Sequence, residues 1–439
     1  MSKMSQIDNF NDELLSFLGA SPTPFHATQA MAALLTDNGF VELKEEDSWT
    51  ISPGKYFATR NGSSIVAFIK GTQDLEQTGI RMVGAHTDSP CLKVKPKPEK
   101  RMNGYLNIGV EVYGGVLLNP WFDRDLSIAG RVTVETEDGQ LKSRLINFQR
   151  PIATVPSLAI HLDREANTGR TINPQKDIPP LLLKSNGEES FGDIVQAQFN
   201  SEHPDVAIKT IHGWELCFYD TQEPARNGLN GEFISSARLD NLLSCFTGIK
   251  ALLKADTALT SIMVCNDHEE VGSASAEGAE GPFLAAIIDR LIGSNPGETR
   301  HRAIARSLMI STDNAHGIHP NFSDRHDPNH GPLLNEGPVI KINANQRYAT
   351  NSETSSYFSY LCAKQDVPCQ SFVVRTDMAC GSTIGPITAK ELGVKTLDVG
   401  VPTFGMHSIR ELAGSEDAFH LYTVLTAFYQ DPEILQQVR

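Results

Sequence analysis

Apolar positions along the chain recur with two periods, and where one gives way to the other marks the expected elements. Near the start, Phe10, Leu14, Leu15 and Phe17, and then the stretch from Thr28 to Leu35, repeat at helical spacing and predict helices around 9–19 and 26–38. Short apolar runs at 64–69, 80–84, 261–265, 307–311, 339–343, 370–374 and 394–399 each read as a buried strand. Between them Leu242, Leu243, Phe246, Ile249, Leu252 and Leu253 repeat mostly at three and four, and the stretches 283–291 and 383–392 read as further helices. Strand alternating with helix predicts an α/β layer: a central mixed, largely parallel sheet flanked by helices.

The middle of the chain breaks that rhythm. Residues 93–101 are basic and punctuated by Pro96 and Pro98, which predicts an extended connector. From Gly109 to Phe148 the spacing becomes strand-like, with runs at 130–135 and 141–146 around a Glu137-Asp138-Gly139 turn. Residues 164–205 are polar and predict irregular surface, and 214–219 add one more strand. The expected organisation is a discontinuous domain, 1–92 and 235–439, interrupted by a β-rich insert, 93–234.

Composition narrows the class. A chain of 439 residues with 40% hydrophobic content can bury two cores. A formal net charge of −15 disfavours nucleic acid and anionic membrane surfaces as partners. The first twenty residues lack the apolar core of a secretory signal, and no run of about 18 apolar residues occurs anywhere. Seven cysteines without a CxxC pair point to reduced thiols and a cytoplasmic location. No G-x-S-x-G elbow or nucleotide-binding glycine loop occurs either.

The candidate chemistry collects just beyond the predicted strands. The run 261–265 leads into Asn266-Asp267-His268-Glu269-Glu270-Val271-Gly272-Ser273, the strand at 80–84 into His86-Thr87-Asp88, the strand at 307–311 into Asp313, and the last strand into Met406-His407. Asp240 opens the helix that precedes the glutamate pair, where it either caps or ligates. Singly, each has a plain alternative: a solvated acidic turn, a loop histidine, a helix cap. Together, His86, Asp240, Glu270, Asp313 and His407 are borderline and hard ligands suited to two divalent ions such as zinc, about 3.5–4 Å apart and bridged by a carboxylate and a water. Glu269 is left over and can serve as the base that takes that water's proton and passes it to a leaving amine.

Six ordered blocks carry a resemblance: 84–90, 236–241, 268–273, 313–316, 342–350 and 406–411. Across nearly the whole chain the sequence resembles the aspartyl aminopeptidases, dinuclear metallo-aminopeptidases whose catalytic domain is interrupted by an insert. The resemblance implies one ion on His86 and Asp313, the other on Glu270 and His407, and Asp240 between them. Glu269 is then the base, with Asp88 beside it in the catalytic set. Zinc is the expected metal, with cobalt or manganese as substitutes in vitro.

The resemblance further implies a homododecamer built from dimers through the insert. His161, in the block 156–163, then reaches a neighbouring subunit's active site, although a turn histidine fits the sequence equally. Lys341 is expected to meet the acidic side chain of an N-terminal Asp or Glu, although the chain's own acid could pair it instead. His316, Met406 and the glycine-rich turn at Gly381 complete the expected substrate contacts. The reading is an aminopeptidase acting on peptides. A broad-specificity aminopeptidase, or a deacetylase or carboxypeptidase on the same scaffold, is the enzymatic alternative, and a non-catalytic shell or cargo protein the other.

Overall fold

The computed structural model describes residues 3–293 and 296–434. The chain divides into two units: residues up to 88 with 224–406 and those from 411 onward, and residues 89–223 with 407–410.

The first unit is built on a nine-stranded mixed sheet. Four strands run parallel at its centre, Thr260–Asn266, Ile80–His86, Leu308–Thr312 and Lys395–Gly400, in that spatial order. Both faces of these strands are buried, so their sequences are apolar runs with little alternation. On one side Ser64–Lys70 and Gly54–Arg60 continue the sheet antiparallel, and on the other Val339–Ile342 pairs antiparallel with Lys395–Gly400. Helices Lys3–Ala20, Pro24–Asp37, Leu239–Leu252 and Asp417–Gln430 pack on one face through Phe10, Leu14, Phe246 and Phe428. Phe283–Ile292 and Ile304 cover part of the other through Met82, Ile262 and Met309. A smaller five-stranded sheet that includes Phe233–Ser236 and Glu411–Gly414 completes the unit.

The second unit is a six-stranded antiparallel sheet with its own core around Leu106, Ile128, Val132, Phe199 and Phe218. The expected connector at 93–101 is not one: it lies inside the strand Cys91–Met102. Leu92 and Val94 point inward while Lys93 and Lys95 are only half-buried, a period of two. Pro96 and Pro98 fall at the register shift between Val94 and Glu99, where a missing amide donor costs no ladder bond. The junctions accordingly lie at 88/89 and 223/224 rather than 92/93 and 234/235, and residues 407–410 group with the insert. The polar stretch 164–205 also hides structure. Helix Phe191–Glu202 is capped by Ser190 and buries Phe191, Val195 and Phe199 at a spacing of four, a stripe too narrow to stand out from its polar neighbours.

Candidate metal centre

Parallel strands put their carboxyl ends on one edge, which is where an open sheet places its site. His86 is the last residue of Ile80–His86, Asp313 follows Leu308–Thr312, and the glutamate pair follows Thr260–Asn266. The buried His86 ring faces Asp240 Oδ1 at 3.4 Å, Asp313 Oδ1 at 3.7 Å and Glu269 Oε2 at 4.0 Å, all from Nε2. On its other side Nδ1 lies 3.0 Å from the Asp88 carbonyl. A carbonyl only accepts, so Nδ1 carries the hydrogen and Nε2 is the atom presented to the acids.

Asp88 organises the neighbouring turn. Its Oδ1 accepts the amide of Glu269 at 3.1 Å and its Oδ2 the amide of Glu270 at 3.0 Å. These two donors belong to a single 3₁₀ turn, Glu269–Val271, entered through left-handed His268 at φ 66° and left through Gly272 at φ 98°. The two glutamate side chains therefore depart from a fixed backbone.

Asp240 sits in a bend rather than in a regular helical turn. It and Asn241 carry non-helical torsions at the start of Leu239–Leu252, directly after left-handed Arg238. Its amide donates to the buried Glu411 carboxylate at 2.8 Å, and Asn241 Nδ2 donates to the Thr312 carbonyl at 2.8 Å, tying this bend to the strand that carries Asp313. Glu411 is a supporting residue that the sequence offered only as the end of the block 406–411.

The electrostatics are those of an acid cluster short of positive charge. Burial, then the charges of Asp313, Asp88 and Asp240, push the Glu269 carboxyl up to about 7 against the opposing pull of His86. Burial and the charge of Asp240 push Glu270 up to about 10. Burial would lower His86, but the carboxylates of Asp240, Asp313 and Asp88 outweigh it and hold the imidazole well above its usual range. Donor atoms of His86, Asp240 and Asp313 lie within 4.8 Å of one another, as do those of His86, Glu269 and Glu270. Imidazole and carboxylate donors crowded around one point, and strained by their own charge, fit a divalent cation.

Lys341 is buried on Val339–Ile342, and its Nζ lies 3.3 Å from Asp313 Oδ2 and 3.0 Å from the Asn314 carbonyl. Of the two partners left open by the sequence, the chain's own acid is the one in contact. His316 is exposed and sets its ring edge-on to Phe372, with centroids 5.6 Å apart. Gly381 is exposed two residues before Thr383, whose hydroxyl accepts the Gly385 amide and caps Ile384–Leu392. Met406 is half-buried after Gly405.

Two predicted site residues fall in the second unit. His407 is left-handed, at φ 68°, with Nδ1 3.1 Å from the Gly115 carbonyl. His161 lies in an exposed loop flanked by exposed Leu158, Ile160 and Leu162.

A family model described as Aminopeptidase I zinc metalloprotease (M18) matches residues 17–429. A Pseudomonas putida protein named "Probable M18 family aminopeptidase 2" is 58% identical over 430 residues, covering 97% of this chain and 99% of that one. Among solved structures the fold is similar to a chain of the Ape4 and Nbr1 complex seen by cryo-electron microscopy, with a TM-score of 0.96, 38% identity, and 100% of this chain and 89% of that one covered. It is also similar to a chain of the S. cerevisiae mApe1 dodecamer, with a TM-score of 0.85, 27% identity, and 99% of each chain covered. With the match running through nearly the whole sequence and the acid-and-histidine cluster in place, the chain belongs to the M18 aminopeptidase family and is a metal-dependent aminopeptidase.

Proposed function

We propose that this enzyme removes N-terminal residues from peptides with two divalent ions and Glu269 as the general base, and that it prefers acidic N-termini. The observation that carries the metal reading is the convergence of Asp240, Asp313 and Glu269 on His86 Nε2, with Glu270 on the same turn as Glu269, and the second ion rests on the family resemblance.

Zinc is the metal we assign, and by the family resemblance His86 and Asp313 would hold one ion, Glu270 and His407 the other, with Asp240 serving both. When bound, such ions polarise a scissile carbonyl and lower the pKa of water. The protein's own share is proton management. Glu269, with Oε2 4.0 Å from His86 Nε2 and its backbone fixed by Asp88, is placed to accept a proton and return it to the departing amine. Asp88 fixes the turn that carries it and orients His86. Hydrolysis breaks the amide C–N bond, adds the water oxygen to the carbonyl carbon, and delivers the proton to the new amine.

The acidic preference rests on the resemblance to aspartyl aminopeptidases. His316, Met406 and the turn at Gly381 are proposed as substrate contacts on the same ground. His161 is proposed to serve a neighbouring subunit's site in a dodecamer, which the similar S. cerevisiae assembly supports. A cytoplasmic location is proposed on the seven free cysteines.

Rates on Glu-, Asp-, Leu- and Ala-anilides, with N-acetylated controls and before and after chelation, test the reading. Expected are chelator-sensitive release from free amines only and the highest kcat/KM on the acidic substrates. Equal cleavage of N-acetylated substrates would turn the reading towards a deacetylase or carboxypeptidase, and a preference for Leu would remove the acidic specificity.

A further inference from the structure

We infer that Lys341 is a positioning residue for metal retention: it holds one oxygen of Asp313 so that the other is presented to the cation site. The inference rests on the two-ion reading above and gives Lys341 a role other than recognising an acidic substrate side chain.

A buried ammonium needs its charge and its three donors satisfied. Lys341 is 3% exposed, which leaves little room for a solvent partner. One donor faces Asp313 Oδ2 at 3.3 Å and another the carbonyl of the next residue, Asn314, at 3.0 Å. The ammonium also lies 5.3 Å from the ring centroid of Tyr348, a further favourable contact for a cation. Lys341 thus grips the strand-end turn at a side chain and at the backbone together.

The grip divides the Asp313 carboxylate. Oδ2 is taken by Lys341, while Oδ1 is the oxygen nearest His86 Nε2, at 3.7 Å. A carboxylate free to spin would present either oxygen, or both. One tethered at Oδ2 is oriented before any cation arrives, in the way that partners behind ligands fix their geometry.

The neighbouring acid does not compete for this role. Asp398 lies directly opposite Lys341 in the antiparallel strand pair, but its oxygens accept from the Thr383 hydroxyl and the Ala349 amide, both at 2.6 Å.

The test is zinc affinity, read by competition with a chelating indicator, on wild type, Lys341→Met and Lys341→Gln, beside the ratio of kcat/KM for Glu- and Ala-anilides at saturating zinc. The glutamine keeps a donor for the Asn314 carbonyl, so it isolates the charge and stands in if the methionine variant does not fold. Expected is a loss of about 10–100-fold in affinity for one of the two ions in the folded variant, with the acidic-to-neutral ratio unchanged. Affinity within twofold of wild type at both ions would overturn the inference, as would a collapsed acidic-to-neutral ratio with full zinc affinity, which would make Lys341 a specificity residue. If wild type itself binds fewer than two ions, the two-ion reading fails first, and the Lys341 comparison at whatever ion remains still shows whether Asp313 depends on it.

Discussion

Asp88 shows how much a single carboxylate can organise. It accepts one amide on each oxygen while its own carbonyl takes the His86 ring hydrogen. Asp88→Asn would keep the shape but turn an amide donor toward one of those backbone donors. Bonds to a charged acceptor contribute about 1.5–3 kcal/mol, so the expected result is a folded, metal-binding protein with kcat about 10–100-fold lower. Circular dichroism, metal analysis and steady-state rates check this, and unaltered kcat would remove Asp88 from the catalytic set.

The raised carboxyls give a pH dependence with a definite sign. In the metal-free protein Glu269 titrates near 7 and Glu270 near 10. Folded pKa values above the unfolded ones mean the native state holds these protons more tightly. That stabilising contribution is complete below the ordinary carboxylate range and is lost as pH rises through about 7 and then about 10, at about 1.4 kcal/mol per pH unit for each proton released. Cations replace those protons, so the gap in Tm between metal-loaded and chelated protein should widen from about pH 6 to about pH 8.5. A constant gap would contradict the cluster's electrostatics. At this scale the ligand-bearing motifs were legible because each follows an apolar run, whereas the Lys341–Asp313 and Glu411–Asp240 contacts join residues 28 and 171 positions apart and depend on the sheet register.

Elements act by bringing strand ends close enough for these contacts. Gly400 ends the strand Lys395–Gly400, and a Cβ there would stand 1.9 Å from the Asp313 carbonyl oxygen. Gly400→Ala must push backbone away from backbone, so a loss of about 1–3 kcal/mol is expected, with weaker metal binding because the displaced turn carries Asp313. Denaturant midpoints with and without zinc check both effects, and wild-type behaviour in each would mean the turn yields freely. The parallel strands were readable as apolar runs because burial on both faces removes alternation. Helix Phe191–Glu202 was not, because it buries only one residue in four, and the strand Cys91–Met102 was masked by its lysines and prolines. Polarity marked a linker there, while the inward Leu92 and Val94 marked a strand.

The whole molecule is a chain of two units, with the metal-centre acids in the first and His161 in the second. Composition announced two cores, but the return of 407–410 to the insert's unit could not be read from local pattern, since it depends on Ile409 packing among residues no later than Phe218 in the chain. The exposed Leu158, Ile160 and Leu162 around His161 are apolar surface that assembly would cover. Light scattering is expected to give a particle about twelve times the 48.0 kDa chain, and His161→Ala to lower kcat with metal content intact. A fully active monomer would contradict both. That Glu269 is the base and Glu270 a ligand is checked by metal content and turnover measured together on Glu269→Gln and Glu270→Gln. Glu269→Gln is expected to keep wild-type metal and lose about 10²–10⁴-fold in kcat, while Glu270→Gln loses metal. Substantial turnover by a fully metal-loaded Glu269→Gln enzyme would contradict that assignment.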